Sequence, residues 1–308
     1  MAKVTAHYGI AGPVEFLDVN VAKDNRLFVD PRVVRLERGP KPFVTQANNC
    51  TTTFFDEVVD CVVSGRKSDA QRGLDLLQHF KEPKETRLGL SKKGFDGHGG
   101  ADDVGEWIWH VLSTDIKAFL QVGLLKHIED IPIFVEGVDK DITSDLTTRI
   151  IFEPLAKFTQ AMVSRHPEFT QGKHIVDAFD RQVWNPRRLS WENKTLDLPV
   201  VAGKPLLLVP KHWARHALLM SSGRYYGTTM LSFAQNERAV RDVRTGKLIK
   251  ESKDVLRDKK EFARGQSTIL RVTRQAQKKR EDLLARFRAF VDGRYERLDD
   301  EQIDKRTR

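Results

Sequence analysis

The sequence predicts an α+β or α/β protein: a mixed-sheet globular body followed by a basic, mainly helical C-terminal region. Three observations carry this reading. Short strand-like segments alternate with stretches whose apolar residues recur at helical spacing. Hydrophobic residues make up 40% and charged residues 31% of the 308 residues, too apolar for a disordered chain and too charged for a membrane protein. Charge is also unevenly placed. Residues 1–235 carry 30 Lys/Arg against 29 Asp/Glu, a net of +1, whereas residues 236–308 carry 22 against 14, a net of +8. The expected division is therefore a near-neutral body over 1–235 and a basic region over 236–308.

The elements follow in chain order. Residues 14–21 and 27–31 read as strands, the second stopped by Pro31, which cannot donate to a ladder. From about Thr53, Phe54, Phe55, Val58, Val59, Val62 and Val63 mark a helix that Gly65 ends. Ser68 caps a second helix carrying Leu74, Leu77 and Phe80. The glycine-rich run at 94–105 is a loop, and Asp102 or Asp103 caps the helix after it. Residues 131–135 are a strand, and an acidic loop at 137–145 leads to a helix beginning near Asp145. Residues 174–179 and 204–210 are strands, the second apolar on both faces like a central buried one, with residues 184–188 as a turn between them. A helix starts within 212–221, and residues 243–248 carry a turn signal. One helical stripe then runs over roughly 266–291, and 299–308 is a polar tail.

Several classes are excluded or disfavoured. No apolar run approaches the roughly 18 residues that span a bilayer, so no membrane partner is expected. The N-terminus lacks the apolar core of a signal peptide. Cys50 and Cys61 are the only cysteines, too few for a disulfide scaffold or a cysteine zinc site. A cytoplasmic location is the simplest expectation.

The acidic loop is the leading candidate for chemistry. Asp139, Asp141 and Asp145 fall within seven residues, and Glu136 adds a fourth carboxylate. Hard cations such as Mg²⁺ or Mn²⁺ need converging carboxylate oxygens, so these four are the candidate metal ligands. Lys140 is the candidate electrostatic clamp on developing phosphate charge, beside Asp139, Asp141 and Asp145 as catalytic acids. The competing reading is helix capping, because acids favour the positive end of a helix. Residues 139–143 also match the Asp-x-Asp-x-Thr of haloacid-dehalogenase phosphatases, but mid-chain and three residues removed from the preceding strand. An acid-x-Lys nuclease signature is absent near Lys211, where Val209 stands in the acid's place, leaving Asp177 or Asp180 as donors from a neighbouring strand. The glycine run lacks the Lys-Ser/Thr ending of a P-loop. His212 and His216, four apart, lack the glutamate of a zinc-protease motif.

The basic region supplies the interaction signal. Arg271, Arg274, Lys278, Lys279, Arg280, Arg286 and Arg288 are the candidate nucleic-acid-binding residues, with Arg294 and Arg297 beyond them. Interleaved Glu281, Asp282, Asp292 and Glu296 also suit a solvated helix or a protein partner.

Three blocks, residues 27–31, 82–91 and 137–146, with a fourth at 203–211, resemble a group of uncharacterised bacterial proteins associated with mobile-element and phage-defence neighbourhoods. The resemblance spans most of residues 14–211. It implies nucleic acid as the target and carries over no catalytic residues. The leading expectation is thus a nucleic-acid-directed protein, a metal-dependent nuclease or nuclease-like effector acting on DNA or RNA. The alternatives are a non-enzymatic nucleic-acid-binding or adaptor protein and a small-molecule phosphohydrolase.

Overall fold

The long helix Phe43–Ser64 turns Val44, Ala47, Cys50, Phe54, Phe55, Val58 and Val62 inward, a stripe of the kind that must find a partner face. It begins ten residues before Thr53: Thr45 and Asn49 face solvent, while Asn48 turns inward and donates to Val34 O. In this computed structural model, which describes residues 2–89 and 101–307, the helices Pro31–Leu36, Lys67–Leu76 and Phe152–Arg165 pack against this long helix within one continuous core. The class is α+β: helices hold 52% of the described residues, and the sheets are small and antiparallel.

The largest sheet is a long hairpin, Val176–Asn185 paired with Ser190–Val201, extended by Lys204–Pro205. Its Trp184 lies edge-on to Phe54 at 5.1 Å between ring centroids and donates its Nε1–H to Thr53. A second pairing joins Phe28–Val29 to Ala214–Arg215. Asp30 follows and caps the helix Pro31–Leu36, accepting from the N–H groups of Arg32 and Val33. Its other oxygen accepts from Leu219 N at 2.7 Å, so one buried carboxylate fixes both a helix start and a distant loop.

Several sequence expectations change here. Residues 131–135 are not a strand: Ile131–Phe134 is a helical turn following the 3₁₀ turn Ile128–Asp130. Pro132 sits in the first helical turn, where its missing N–H costs nothing, and a short buried apolar run has no period to distinguish strand from helix. Residues 206–209 are buried and extended but join no ladder beyond Lys204–Pro205. Their N–H groups go instead to Pro199 O, Glu85 O and Thr159 Oγ1, so three separate elements satisfy one buried segment. Residues 14–21 form no strand either; they carry isolated bridges, Phe16 to Pro210 among them. The second helix runs Lys67–Leu76 with Arg66, not Ser68, at its cap. Within 212–221 no helix forms; the helix is Ser222–Tyr225, capped by Ser221. The stripe over 266–291 is two helices, Gln266–Lys278 and Leu283–Asp292, broken at Arg280, whose φ of 62° is left-handed. The expected polar tail contains the helix Asp300–Thr307, with Ile303 and Thr307 buried. The glycine run at 94–100, with His98, lies outside the described residues, and the helix after it is Ala101–Ser113.

The two helices after residue 265 share the core of the rest. Ile269, Val272, Leu283, Leu284, Phe287 and Val291 are continuous with it. A ladder of ion pairs, buried except at the exposed Asp292, reinforces this contact. Arg288 meets Asp130 at 2.5 Å, Arg32 grips Asp292 at 2.6 Å, and Glu129 takes Arg35 at 2.7 Å and Arg32 at 3.4 Å. No described helix is long and apolar enough to cross a membrane.

Candidate functional site: a cationic cleft beside the acidic helix

The acidic loop does not remain a loop. The helix starts at Lys140, with Asp139 as its cap, and runs Lys140–Ile150. Asp139 accepts from the N–H groups of Asp141 and Ile142, which commits its carboxylate to the backbone. Thr143 donates to Asp139 O and Thr147 to Thr143 O. Ser144, one turn along, accepts from Val29 N at 2.9 Å and so ties the helix to the Phe28–Val29 strand.

The four expected metal ligands therefore divide, with Asp139 committed to the backbone and Asp141 and Asp145 four residues apart on one helix face. Glu136 is exposed, and its backbone carbonyl accepts from Trp107 Nε1. Asp141 approaches Gly89, where an added Cβ would stand 3.1 Å from Asp141 Oδ1. Gly89 has a φ of +122°, so that close approach needs glycine. Asp145 lies one turn further in. Among the described residues, no three His, Cys, Asp or Glu side chains are arranged to hold a metal. Lys140 faces away from the acids: its Nζ sits 4.5 Å from the Phe28 ring centroid and donates to His216 O.

Asp145 is the unusual member. Its carboxyl is pushed up to about 8, first by burial and then by the charges of Asp141 and Glu82, with Arg149 opposing. It is thus largely protonated at neutral pH.

Beyond Asp145 the helix presents Arg149, and there the fold gathers a charge pattern that the linear sequence disperses. Residues 82–87 fold back through the 3₁₀ turn Lys84–Thr86, and Arg87 adopts a left-handed φ of 56°. The turn is pinned by Leu207 N donating to Glu85 O and by Asn25 N donating to Arg87 O. Glu85 is buried and binds Arg181 Nε at 2.7 Å and Arg149 Nη2 at 3.8 Å. Arg149 also donates to the carbonyls of Lys81 and Glu82. The result is a cleft of about 500 Å³ lined by Lys81, Lys84, Arg87, Arg149, Arg181 and Lys204, with Glu82 and Glu85 as its acids. Six cations against two carboxylates leave a net of +4. An adjoining cavity of about 510 Å³ shares Lys81, Glu85, Arg149 and Arg181 and continues past His79, Asp180 and Gln182.

Arg87 is the most telling residue of the cleft. It is 9% exposed, and among the described residues its guanidinium donates to the backbone carbonyls of Lys84 and Val21. Burial lowers its pKa, as it lowers that of Arg149. Glu85 and Asp24 act on Arg87 only through space, so its burial is incompletely compensated among the described residues, and an anion entering the cleft would relieve that cost. Sequence reading missed this group because its members come from four separate stretches. The close packing of Lys81, Lys84 and Arg87 was the one available signal.

The expected nucleic-acid residues divide. Arg271, Arg274 and Lys278 share one face of the Gln266–Lys278 helix and line a cavity of about 530 Å³ with Asp115. Lys279 pairs with Glu237, and Arg286 with Glu281 at 2.7 Å. Arg280 is exposed at the helix break. Arg288 is buried, donating to Asp130 and to Leu124 O, which takes it out of reach of a ligand in solution. The remaining candidates also resolve. Asp177 and Asp180 lie on the long hairpin, Asp180 accepting from Thr195 Oγ1. His212 and His216 flank the Ala214–Arg215 strand rather than sharing a helix. Burial raises the thiols of Cys50 and Cys61, to about 12 and about 11, which suits inert core cysteines.

Fold and cleft together define an α+β protein with a concentrated anion-attracting surface. Residues 11–221 match the family described as a domain of unknown function, DUF8370, and the chain belongs to that family. Every residue lining the cleft falls inside the matched segment, and the Gln266–Lys278 helix lies outside it. No curated protein and no solved structure matches.

Proposed function

We propose that the chain is a nucleic-acid-directed protein that holds a phosphodiester backbone along the cleft of Lys81, Lys84, Arg87, Arg149, Arg181 and Lys204. The observation that supports this is the concentration of six cations on one cleft of a body whose overall charge is near zero. Guanidiniums suit phosphate oxygens because their planar donors bind in pairs, and lysines at the mouth add sequence-independent attraction. The site pre-pays little: Glu85 orients Arg181 and Arg149, so the donors stand in place before a ligand arrives.

The test uses the three exposed lysines, whose loss leaves the fold intact. The Lys81→Gln/Lys84→Gln/Lys204→Gln variant should bind DNA or RNA roughly tenfold or more weakly near 0.1 M salt. Its slope of log K against log salt should fall by about two to three. Fluorescence anisotropy across a salt series reads both, and an unchanged slope would reject the cleft as the contact.

A second reading is phosphodiester hydrolysis assisted by Mg²⁺ or Mn²⁺. One observation favours it: the Asp145 carboxyl stands in the field of Asp141 and Glu82, one helical turn from Arg149 of the cleft. Incubating the full chain with DNA, RNA and a generic phosphate ester, with and without each metal, tests it. Cleavage retained in an Asp145→Asn variant would exclude this carboxyl from the reaction.

A further inference from the structure

The short hairpin Val240–Arg241 with Leu248–Ile249 carries a pattern that neither the cleft nor the core explains. Arg238, Arg241, Arg244, Lys247, Lys250 and Lys253 recur at every third position. The fold uses the outer members at the hairpin's base. Arg238 pairs with Glu251 and Glu261, and Lys250 donates to Asn236. Lys253 donates to the carbonyls of Gly227 and Thr228, which lie in a π-helical turn at Tyr226–Met230. The inner members stand at the tip. Among the described residues, neither Arg244 nor Lys247 has an acidic partner, and Arg241 reaches only Gly246 O. The tip's one acid, Asp242, is occupied by the turn, accepting from Arg244 N, Thr245 N and Thr245 Oγ1. Between these cations Val243 is wholly exposed, and Val240, Leu248 and Ile249 are each more than half exposed.

We propose that this hairpin is a docking ribbon for duplex nucleic acid, entering a groove while its cations meet the flanking phosphates. Three features select that occupant. The tip is cationic, its three basic side chains outnumbering the one acid that the turn engages, so a polyanion complements it. A two-stranded ribbon fits the roughly 12 Å width of a DNA major groove, where apolar side chains meet thymine methyl groups. The surface is also continuous with the Arg271, Arg274 and Lys278 cavity, because Arg238 and Arg271 flank the same Phe262 ring at 5.8 and 5.9 Å. A single strand is disfavoured, since residues 238–250 offer no aromatic on which bases stack. A membrane surface is disfavoured too. The register pairs Val240 with Ile249 and Arg241 with Leu248, which divides the aliphatic residues between the two faces.

The experiment compares the full chain with two variants, Arg244→Glu/Lys247→Glu and Val243→Asp. Anisotropy is read on a 20-base-pair duplex and on a single strand of equal length, with sedimentation on phosphatidylserine vesicles alongside. All the altered side chains are exposed, so circular dichroism should be unchanged. Charge reversal should weaken duplex binding by about tenfold or more and lower the salt slope by about two. Val243→Asp should weaken duplex binding several-fold while leaving the slope nearly intact. Duplex affinity within twofold of the parent in both variants, or no duplex binding by the parent, overturns the proposal. Loss of vesicle binding in place of duplex binding overturns it in favour of a membrane. The lysine variants of the cleft are independent: if they bind normally while the hairpin variants do not, the cleft reading fails and this one stands.

Discussion

Replacing Arg288 with methionine should destabilise the protein by about 3–5 kcal/mol, and nucleic-acid affinity per folded molecule should not change. The reason is the environment of its partner. Asp130 is fully buried and accepts from Arg288 Nη2, Lys126 N and His127 N. Removing the guanidinium strands a carboxylate in a low-dielectric interior, which costs far more than the pair contributes net. Arg288 also satisfies Leu124 O, so a second buried acceptor loses its donor. The companion variant Arg288→Met/Asp130→Asn should recover much of the loss, because the amide oxygen still accepts from Lys126 and His127. Urea denaturation of both variants, Asp130→Asn and the parent closes the cycle. A coupling energy near zero would mean that the pair does not hold the two regions together.

The second large effect is one of pH. The Asp145 carboxyl titrates near 8 in the folded protein against an ordinary 3.8. The folded state therefore keeps a proton that the unfolded chain has released, and stability falls as pH rises from about 4 through 8. The linkage ceiling is about 1.4 kcal/mol per pH unit. Solvent reaches part of the side chain, so a loss on the order of 2 kcal/mol between about pH 5 and 8 is expected. Asp145→Asn, uncharged throughout, should lose about that much less stability across the same interval and be the more stable protein at pH 8. Parallel denaturation curves at several pH values check this. Equal slopes for the two proteins would show that Asp145 ionises normally. The groups that face this carboxyl are Asp141, Glu82, Asp139 and Arg149, and the three acids push in the direction of burial.

The class of fold was legible in the sequence because it rests on local periodicity. The stripe of Phe54, Phe55, Val58 and Val62 reads as a helix without any tertiary information. Residues 131–135 and 206–209 resisted because each is apolar throughout, and a run with no polar face has no period. What decided them was non-local: a proline at the start of a helical turn, and acceptors drawn from Pro199, Glu85 and Thr159. The site shows the same divide. The acids at 139–145 are close in sequence, yet the helix commits Asp139 to the backbone as its cap and leaves Asp141 and Asp145, four residues apart, on one face. The cleft is the converse, since Arg87, Arg149, Arg181 and Lys204 are far apart in sequence and meet only through the fold. Local charge counting finds the +8 region, whereas the body's near-zero total hides a cleft of +4.

The ion-pair ladder has a consequence for the protein's synthesis. Arg32 reaches Asp292 across 260 positions, Arg297 reaches Glu37 across 260, and Lys3 reaches Asp304 across 301. A chain leaving the ribosome therefore holds Glu37, Asp130 and Arg32 long before their partners exist. The helix pairs near the start can form early, but the core that Phe287 and Val291 complete must wait. Contacts of such long range set a slow final step, and the half-made chain exposes both apolar surface and unpaired charge in the meantime. Completion of this core thus waits for the synthesis of residues 283–304.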